Sequence, residues 1–194
     1  MSSAGADEAG GPTGSSAPGS GATASSTPGP GEPTADEVRA AYGRYTATRA
    51  EVEAGNARWS ALAEFFTDDA VFVDPAWGRI TGKAAIAEFM DASMAGLDDW
   101  AFPEGFTMVE GTRVVTFWWN RLAGTRPDGT PYQAPGVSIL HYAGDGKFCY
   151  ELDILNMAEV TDHMRASGWR PPAGMNMPPS HPDRDPTPPD RPEP

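Results

Sequence analysis

The sequence predicts an α+β domain in which helices are segregated to one face of a curved antiparallel sheet. Three observations carry that expectation. Apolar residues recur at helical spacing up to about residue 66 and again over 83–94. Between them stands one short β-branched and aromatic run, Ala70-Val-Phe-Val-Asp74. From Trp100 onward the pattern is one of long strands joined by turn residues, closing on a short helix. Both ends differ from this body. Residues 1–33 are dominated by Gly, Ser, Ala, Pro and Thr, with no aromatic residue, and 171–194 are Pro-rich and polar. Neither stretch buries enough to offset its ordering entropy, so both are expected to be disordered tails. The remainder, 34–170, is the size of one domain with a real core.

The elements follow in order. Thr34 is a candidate N-cap, with Glu37 at capping-box spacing. The helix it opens runs to about Glu53, with Val38, Tyr42, Tyr45 and Val52 as inner positions, and Gly55-Asn56 breaks it. A second helix over about 57–66 offers Trp59, Leu62, Ala63 and Phe66 as one stripe. Thr67-Asp68-Asp69 makes a turn, the strand ends at Asp74, and Pro75 cannot extend the ladder. A loop carrying Trp77 leads to Gly82 and a third helix at about 83–94, where Ile86, Phe89 and Met90 recur at helical spacing. Phe106–Glu110 and Arg113–Ala123 read as a hairpin ending in a long strand. Pro127-Asp-Gly-Thr130 is a turn. Gly136–Tyr142 and Lys147–Leu155 are strands joined through Gly144-Asp145-Gly146, a strong hairpin signal. Ala158–Ser167 is a helix closed by Gly168.

Composition excludes several classes of function. Net charge is −13 and the only lysines are Lys83 and Lys147, so no basic run favours nucleic acid or an anionic membrane as partner. The single Cys149 excludes an intrachain disulfide. The N-terminus lacks the charged and apolar regions of a signal peptide, and no apolar run is long enough to span a bilayer. The expected location is the cytoplasm. No His, Cys or carboxylate cluster has metal-ligand spacing, and no glycine-rich phosphate loop sits between a strand and a helix. Neither metal nor cofactor is expected.

Two acids stand out. Asp74 shares a strand face with Phe72, and an acid beside a buried Phe is either paired or functional. Its other reading is a cap on the turn before Trp77. Asp153 lies on the last strand, whose odd residues (Lys147, Cys149, Glu151, Asp153, Leu155) alternate with Phe148, Tyr150, Leu152 and Ile154. The adjacent Trp118 and Trp119 must face opposite ways, one inward and one onto the outer sheet face.

Phe66-Thr-Asp-Asp-Ala-Val-Phe-Val-Asp-Pro75, Gly82-Lys-Ala-Ala-Ile86 and Tyr142-Ala-Gly-Asp-Gly-Lys-Phe148 together resemble the nuclear transport factor 2-like superfamily. The match is nearest its polyketide-cyclase (SnoaL-like) and ketosteroid-isomerase branch and covers about 36–165. The resemblance implies a cone, with a curved sheet wrapped around the N-terminal helices and a deep apolar pocket. It leaves function open among isomerases, cyclases, hydrolases, dehydratases and non-catalytic binders.

The resemblance also suggests roles. Asp74-Pro75 occupies the place of the base in ketosteroid isomerases, which moves a proton beside a carbonyl. Tyr45 matches their helix-borne oxyanion donor. The strand position of their second donor, a protonated Asp, falls on Ser138, a departure that argues against a faithful steroid isomerase. Asp153 falls where limonene-epoxide-hydrolase-like members place a water-activating acid, but the Arg and Asp that those enzymes also need read Trp119 and Arg121 here. Epoxide hydrolysis by that route is not expected, and Arg121 is instead a candidate partner of Asp153 or Glu151. His141 is expected to face away from the pocket. With the odd face of the last strand turned inward, the candidate ligand-binding set is Phe72, Trp77, Phe89, Trp119, Arg121, Glu151 and Leu155, with Trp77 and Trp100 at the rim.

The expected ligand is small, apolar and ring-bearing. The first functional reading is cofactor-independent proton transfer (isomerisation, cyclisation or dehydration) with Asp74 as base, Asp153 as second acid/base and Tyr45 or Ser138 as oxyanion donor. The second is a non-catalytic ligand-binding module. The third is a dimerisation module, since the outer sheet face is where such proteins pair. The Met residues of Met175-Asn176-Met177, in an otherwise polar tail, raise the expectation that the tail folds back across the pocket mouth.

Overall fold

The computed structural model describes residues 33–190. Thr34 caps the first helix as its spacing predicts: Oγ1 accepts from the Glu37 amide at 3.2 Å. Glu37 does not complete the box. Its carboxylate accepts from Tyr142 Oη at 2.7 Å, which ties the first helical turn to the sheet.

The order is α1 (Ala35–Glu53), a 3₁₀ segment (Trp59–Phe65), β1 (Phe66–Asp74), β2 (Gly78–Thr81), α2 (Lys83–Met94), β3 (Glu104–Glu110), β4 (Arg113–Thr125), β5 (Pro131–Gly144), β6 (Lys147–Leu155) and α3 (Met157–Ser167). The strands form one curved, unclosed sheet in the order β2-β1-β6-β5-β4-β3. Every neighbouring pair is antiparallel except β1–β6, which is parallel. The core lies between the helices and the inner sheet face, where Val38, Phe66, Ile86, Leu140 and Phe148 are fully buried.

Three local expectations change. The second helix is a seven-residue 3₁₀ segment, because the chain turns extended at Phe66 to enter the sheet. Thr67-Asp68-Asp69 is not a turn. It belongs to β1, whose pairing with β6 slips between Phe66 (opposite Phe148) and Val71 (opposite Tyr150). The stretch after Trp77 is a strand, β2, which folds back on β1 with Gly78 opposite Asp74.

The strict odd-residue alternation of β6 also breaks. His141 pairs with Tyr150 but Tyr142 pairs with Phe148, so Cys149 is an extra residue in the ladder, a β-bulge. Phe148 therefore enters the core on the same side as Glu151, while Cys149 joins Val71, Val73 and Tyr150 in a smaller cluster. The β5–β6 turn places both Asp145 (φ 52°) and Gly146 (φ 72°) in the left-handed region, as a tight hairpin requires. Gly168 closes α3 at φ 75°.

Residues 171–190 carry neither helix nor strand. The N-terminal tail expected over 1–33 lies, save for Pro33, outside the described residues, as do 191–194. Among the described residues, no helix is long and apolar enough to cross a membrane.

Candidate active site

The curvature of the sheet leaves a cavity of about 500 Å³ between its inner face and the helices. Trp59, Leu62, Phe72, Phe89, Met90 and Trp118 supply much of its apolar wall. Phe72 packs on Phe89 with ring centroids 5.2 Å apart, and Trp77 meets the other side of Phe89 at 6.2 Å. This size falls within the range of small-molecule pockets, and the lining is largely apolar.

Strand register sets polar groups into that wall. Ser138 pairs with Asp153 across β5–β6 and with Thr116 across β4–β5. Phe72 of β1 stands beside Glu151 of β6, so a step of two residues along both strands brings Asp74 alongside Asp153. Ser138 Oγ donates to Asp153 Oδ1 at 2.5 Å, and Trp118 Nε1 donates to Ser138 Oγ at 2.9 Å. Tyr45 Oη donates to Glu151 Oε2 at 3.4 Å. One helical turn beyond Tyr45, Arg49 enters the lining; its Nε donates to Glu53 Oε1 at 2.9 Å and its guanidinium lies 5.4 Å from the Phe102 ring centroid. Asp74 Oδ1 accepts from the Ala76 and Trp77 amides, each at 2.7 Å. Asp74 Oδ1 therefore caps the turn, as the second sequence reading expects, while the carboxyl also lines the cavity.

Three carboxyl groups line one apolar cavity, with Arg49 acting on Glu151 and Asp153 and Arg184 on Asp74, and their proton affinities respond. Burial raises the Glu151 pKa well above the usual carboxylate value, and the neighbouring Asp153 charge raises it further. Burial lifts Asp153 to about 7, with the Ser138 hydrogen bond and Arg49 opposing and the Asp74 charge adding. Burial also raises Asp74, against its two backbone hydrogen bonds and the charge of Arg184. Burial thus favours the protonated form of Glu151, and Asp153 titrates near 7. Such a pair is how an apolar site retains both a proton donor and an acceptor.

Of the residues singled out by sequence, Tyr45, Phe72, Asp74, Trp77, Phe89, Ser138, Glu151, Asp153 and Leu155 all line this cavity. Trp119 and Arg121 do not. The inner face of β4 carries the even residues Val114, Thr116, Trp118, Asn120 and Leu122, all buried. Trp119 therefore lies on the outer face against Phe117, at 5.1 Å, and Arg121 Nε donates to Gln133 Oε1 at 2.9 Å rather than meeting Asp153 or Glu151. His141 lies on Tyr150, with ring centroids 4.9 Å apart, outside the cavity lining. The tyrosine and serine hydroxyls expected to face a substrate oxygen instead donate to Glu151 and Asp153.

Sequence reasoning missed Arg49, Trp118 and Asn120. Arg49 had a signal, since it falls on the 42, 45, 49, 52 stripe of α1. Asn120 is buried and its Oδ1 has no hydrogen-bond partner. Met175, Asn176 and Met177 stand in the lining, a placement the sequence leaves open.

Trp118 lies flat over Gly136, where any Cβ would come within 2.6 Å of the indole. Gly136→Ala is expected to displace the ring, break its bond to Ser138 and cost about 1–3 kcal/mol. Urea unfolding reads the loss, and a shift of the tryptophan emission reads the ring movement. Among the described residues no group of three or more His, Cys, Asp or Glu is placed to hold a metal ion.

The fold and site define a cone-shaped α+β protein with an acid-floored apolar cavity. The chain belongs to the SnoaL-like domain family, whose model matches residues 44–151. A solved structure from Shewanella putrefaciens, described as a SnoaL-like polyketide cyclase, is 16% identical with TM-score 0.52, covering 70% of this chain and 88% of that one. A protein of ketosteroid isomerase-like fold from Catenulispora acidiphila, in complex with trimethylamine, is 20% identical with TM-score 0.50, covering 71% and 100%. SalBIII, an epoxide hydrolase/cyclase-like enzyme of pyran ring formation in the polyether salinomycin, is 18% identical with TM-score 0.50, covering 64% and 94%. At these identities the likeness is one of fold. No curated protein matches the chain.

Proposed function

We propose that the chain is a cofactor-independent enzyme that moves a proton beside the carbonyl of a small, apolar, ring-bearing substrate. The observation that carries this reading is the placement of Asp74 and Asp153 side by side in one apolar cavity, both with raised proton affinity. In the reaction the Asp74 carboxylate takes the proton from the carbon next to the carbonyl. The C–H electron pair moves into a new C=C bond, and the carbonyl oxygen takes on charge. Protonated Asp153 donates to that oxygen, while Ser138 and Trp118 hold its carboxyl in place. Return of the proton from Asp74 to another carbon completes an isomerisation. Attack of the enolate on a second carbonyl of the same molecule forms the ring bond, and the alkoxide produced takes the proton back from Asp74 to complete a cyclisation. Breaking of a β-carbon–oxygen bond, with the Asp74 proton passing to the hydroxyl so that it leaves as water, completes a dehydration. Arg49 balances the charge of the acid cluster. The setting in this reading is the cytoplasm.

The test is deuterium incorporation from D₂O into a panel of cyclic enones and polyketide-like diketones, read by mass spectrometry. Enzyme-dependent exchange at the carbon beside the carbonyl is the expected result. Saturable binding of these compounds with no exchange would turn the reading to a ligand-binding module, which the capping role of Asp74 Oδ1 favours.

The reading includes a homodimer. Phe106, Met108 and Ile154 are each more than half exposed on β3 and β6, beside the partly buried Phe117 and Trp119. An apolar sheet face of this kind fits a second copy of itself. Light scattering at micromolar concentration is expected to give twice the chain mass, and Ile154→Asp to give the monomer. A wild-type monomer would remove the dimer from the proposal.

A further inference from the structure

After α3 the chain crosses the cavity mouth and then grips the turn that holds Asp74. Pro172 packs at Gly96, and Asn176 Nδ2 donates to the Ala92 carbonyl near the end of α2 at 3.3 Å. Met175 and Met177 stand in the cavity wall. Beyond them the segment docks along β2. The Arg79 amide donates to the Asp183 carbonyl at 2.7 Å, on the edge of the strand that faces away from β1. Arg79 Nη1 donates to the carbonyls of Asp185 (3.1 Å) and Thr187 (2.6 Å). Arg184 Nε donates to the Pro75 carbonyl at 2.8 Å, and Tyr150 Oη donates to the Pro186 carbonyl. The fit is close enough to exclude a side chain at residue 78. A Cβ on Gly78 would overlap the Asp183 carbonyl, and φ there is +87°. The segment is shaped for this course: the Asp185 carboxylate accepts from the Thr187 amide at 3.0 Å, and Asp183 accepts from the Asp185 amide at 3.0 Å.

What the segment grips is the Pro75–Gly78 turn, whose Ala76 and Trp77 amides hold Asp74 Oδ1. We infer that residues 171–190 are a clamp that closes the cavity mouth and fixes the Asp74 carboxyl, with Arg79 as a positioning residue that acts through the turn rather than on the ligand. The methionines then make the clamp a determinant of ligand shape, since an unbranched thioether adapts to what it covers. The clamp is a matter of geometry alone; its consequence for proton transfer rests on the function proposed above.

The experiment uses the full chain and no substrate, so its outcome is independent of whether the cavity catalyses. Arg79→Gln removes the two side-chain bonds to the segment and touches neither Asp74 nor its turn. Amide exchange at Ala76 and Trp77 is expected to accelerate at least tenfold, with β4 and β5 amides unchanged and Arg79→Lys partly restoring protection. The Asp74 titration, read by carbon-detected NMR, is expected to move down toward the ordinary Asp value of about 3.9 as water enters. Of the charged groups that act on Asp74, Asp153 on β6 stays in place, whereas Arg184 leaves with the segment; loss of its charge raises the Asp74 pKa, but rehydration reverses the larger effect of burial and sets the net shift downward. Gly78→Ala, which blocks docking at the Asp183 carbonyl, is expected to reproduce both changes. Exchange within twofold of wild type in both variants overturns the clamp. So does acceleration in Gly78→Ala alone, which would trace to backbone strain at residue 78.

Discussion

Unfolding free energy is expected to fall as pH rises from about 4 to about 7, and Asp153→Asn is expected to remove a large part of that fall. Asp153 has an ordinary pKa near 3.8 when exposed and about 7 in the folded cavity. The folded state therefore binds more protons than the unfolded chain throughout that interval. Stability gained from the protonated carboxyl is fully present below the unfolded value and is lost as pH passes the folded one. An asparagine stays neutral at every pH in the interval and still accepts from Ser138 through its Oδ1. The two curves should coincide near pH 4 and part by on the order of 2–4 kcal/mol at pH 8, with the variant the more stable. The net charge of −13 also weakens the folded state as pH rises, but it does so in both proteins and cancels in the difference. Urea titrations at pH 4, 5, 6, 7 and 8 supply the measurement. Parallel curves would mean that Asp153 ionises freely, and the acid floor of the cavity would lose its physical basis.

How much of this was legible in the sequence depends on whether a feature is local. β6 runs from Lys147 to Leu155 and Thr34 caps α1 as the residues predict, because a hairpin turn and an N-cap are encoded within a few positions. Asp74 and Asp153 were also readable as cavity candidates, the one from its shared face with Phe72 and the other from the family resemblance applied to β6. The face of β4 was not. Whether Trp118 or Trp119 looks inward depends on how β4 registers against β5, and that register comes from long-range pairing. With the parity misplaced by one, Trp119 and Arg121 stood in for Trp118 and Asn120. The bulge at Cys149 escaped for the same reason, since it shows only when Tyr142 is found opposite Phe148. The commitment of the Tyr45 and Ser138 hydroxyls to carboxylates likewise needed the fold, because each bond joins residues far apart in the chain, Tyr45 to Glu151 and Ser138 to Asp153.

Asp74→Asn is expected to lower the rate of deuterium exchange by about 10²–10⁴ while leaving ligand affinity within a fewfold of wild type. The asparagine keeps the shape of the side chain, and its Oδ1 still accepts from the Ala76 and Trp77 amides, so the turn and the cavity wall persist. What is lost is the ability to take a proton, and only the chemical step depends on that. The pH dependence distinguishes the two acids. Asp74 must be ionised to accept a proton, so activity rises through its pKa, which burial places above the ordinary aspartate value. Asp153 must be protonated to donate, so activity falls through about 7. The wild-type profile is therefore a bell whose acid limb follows Asp74 and whose alkaline limb lies near 7, and Asp153→Asn should lower its height and abolish the alkaline limb. If Asp74→Asn exchanges deuterium as fast as wild type, the base lies elsewhere. Asp74 then serves only to hold the Ala76–Trp77 turn, and proton abstraction would fall to Asp153, whose profile would then rise rather than fall through neutrality.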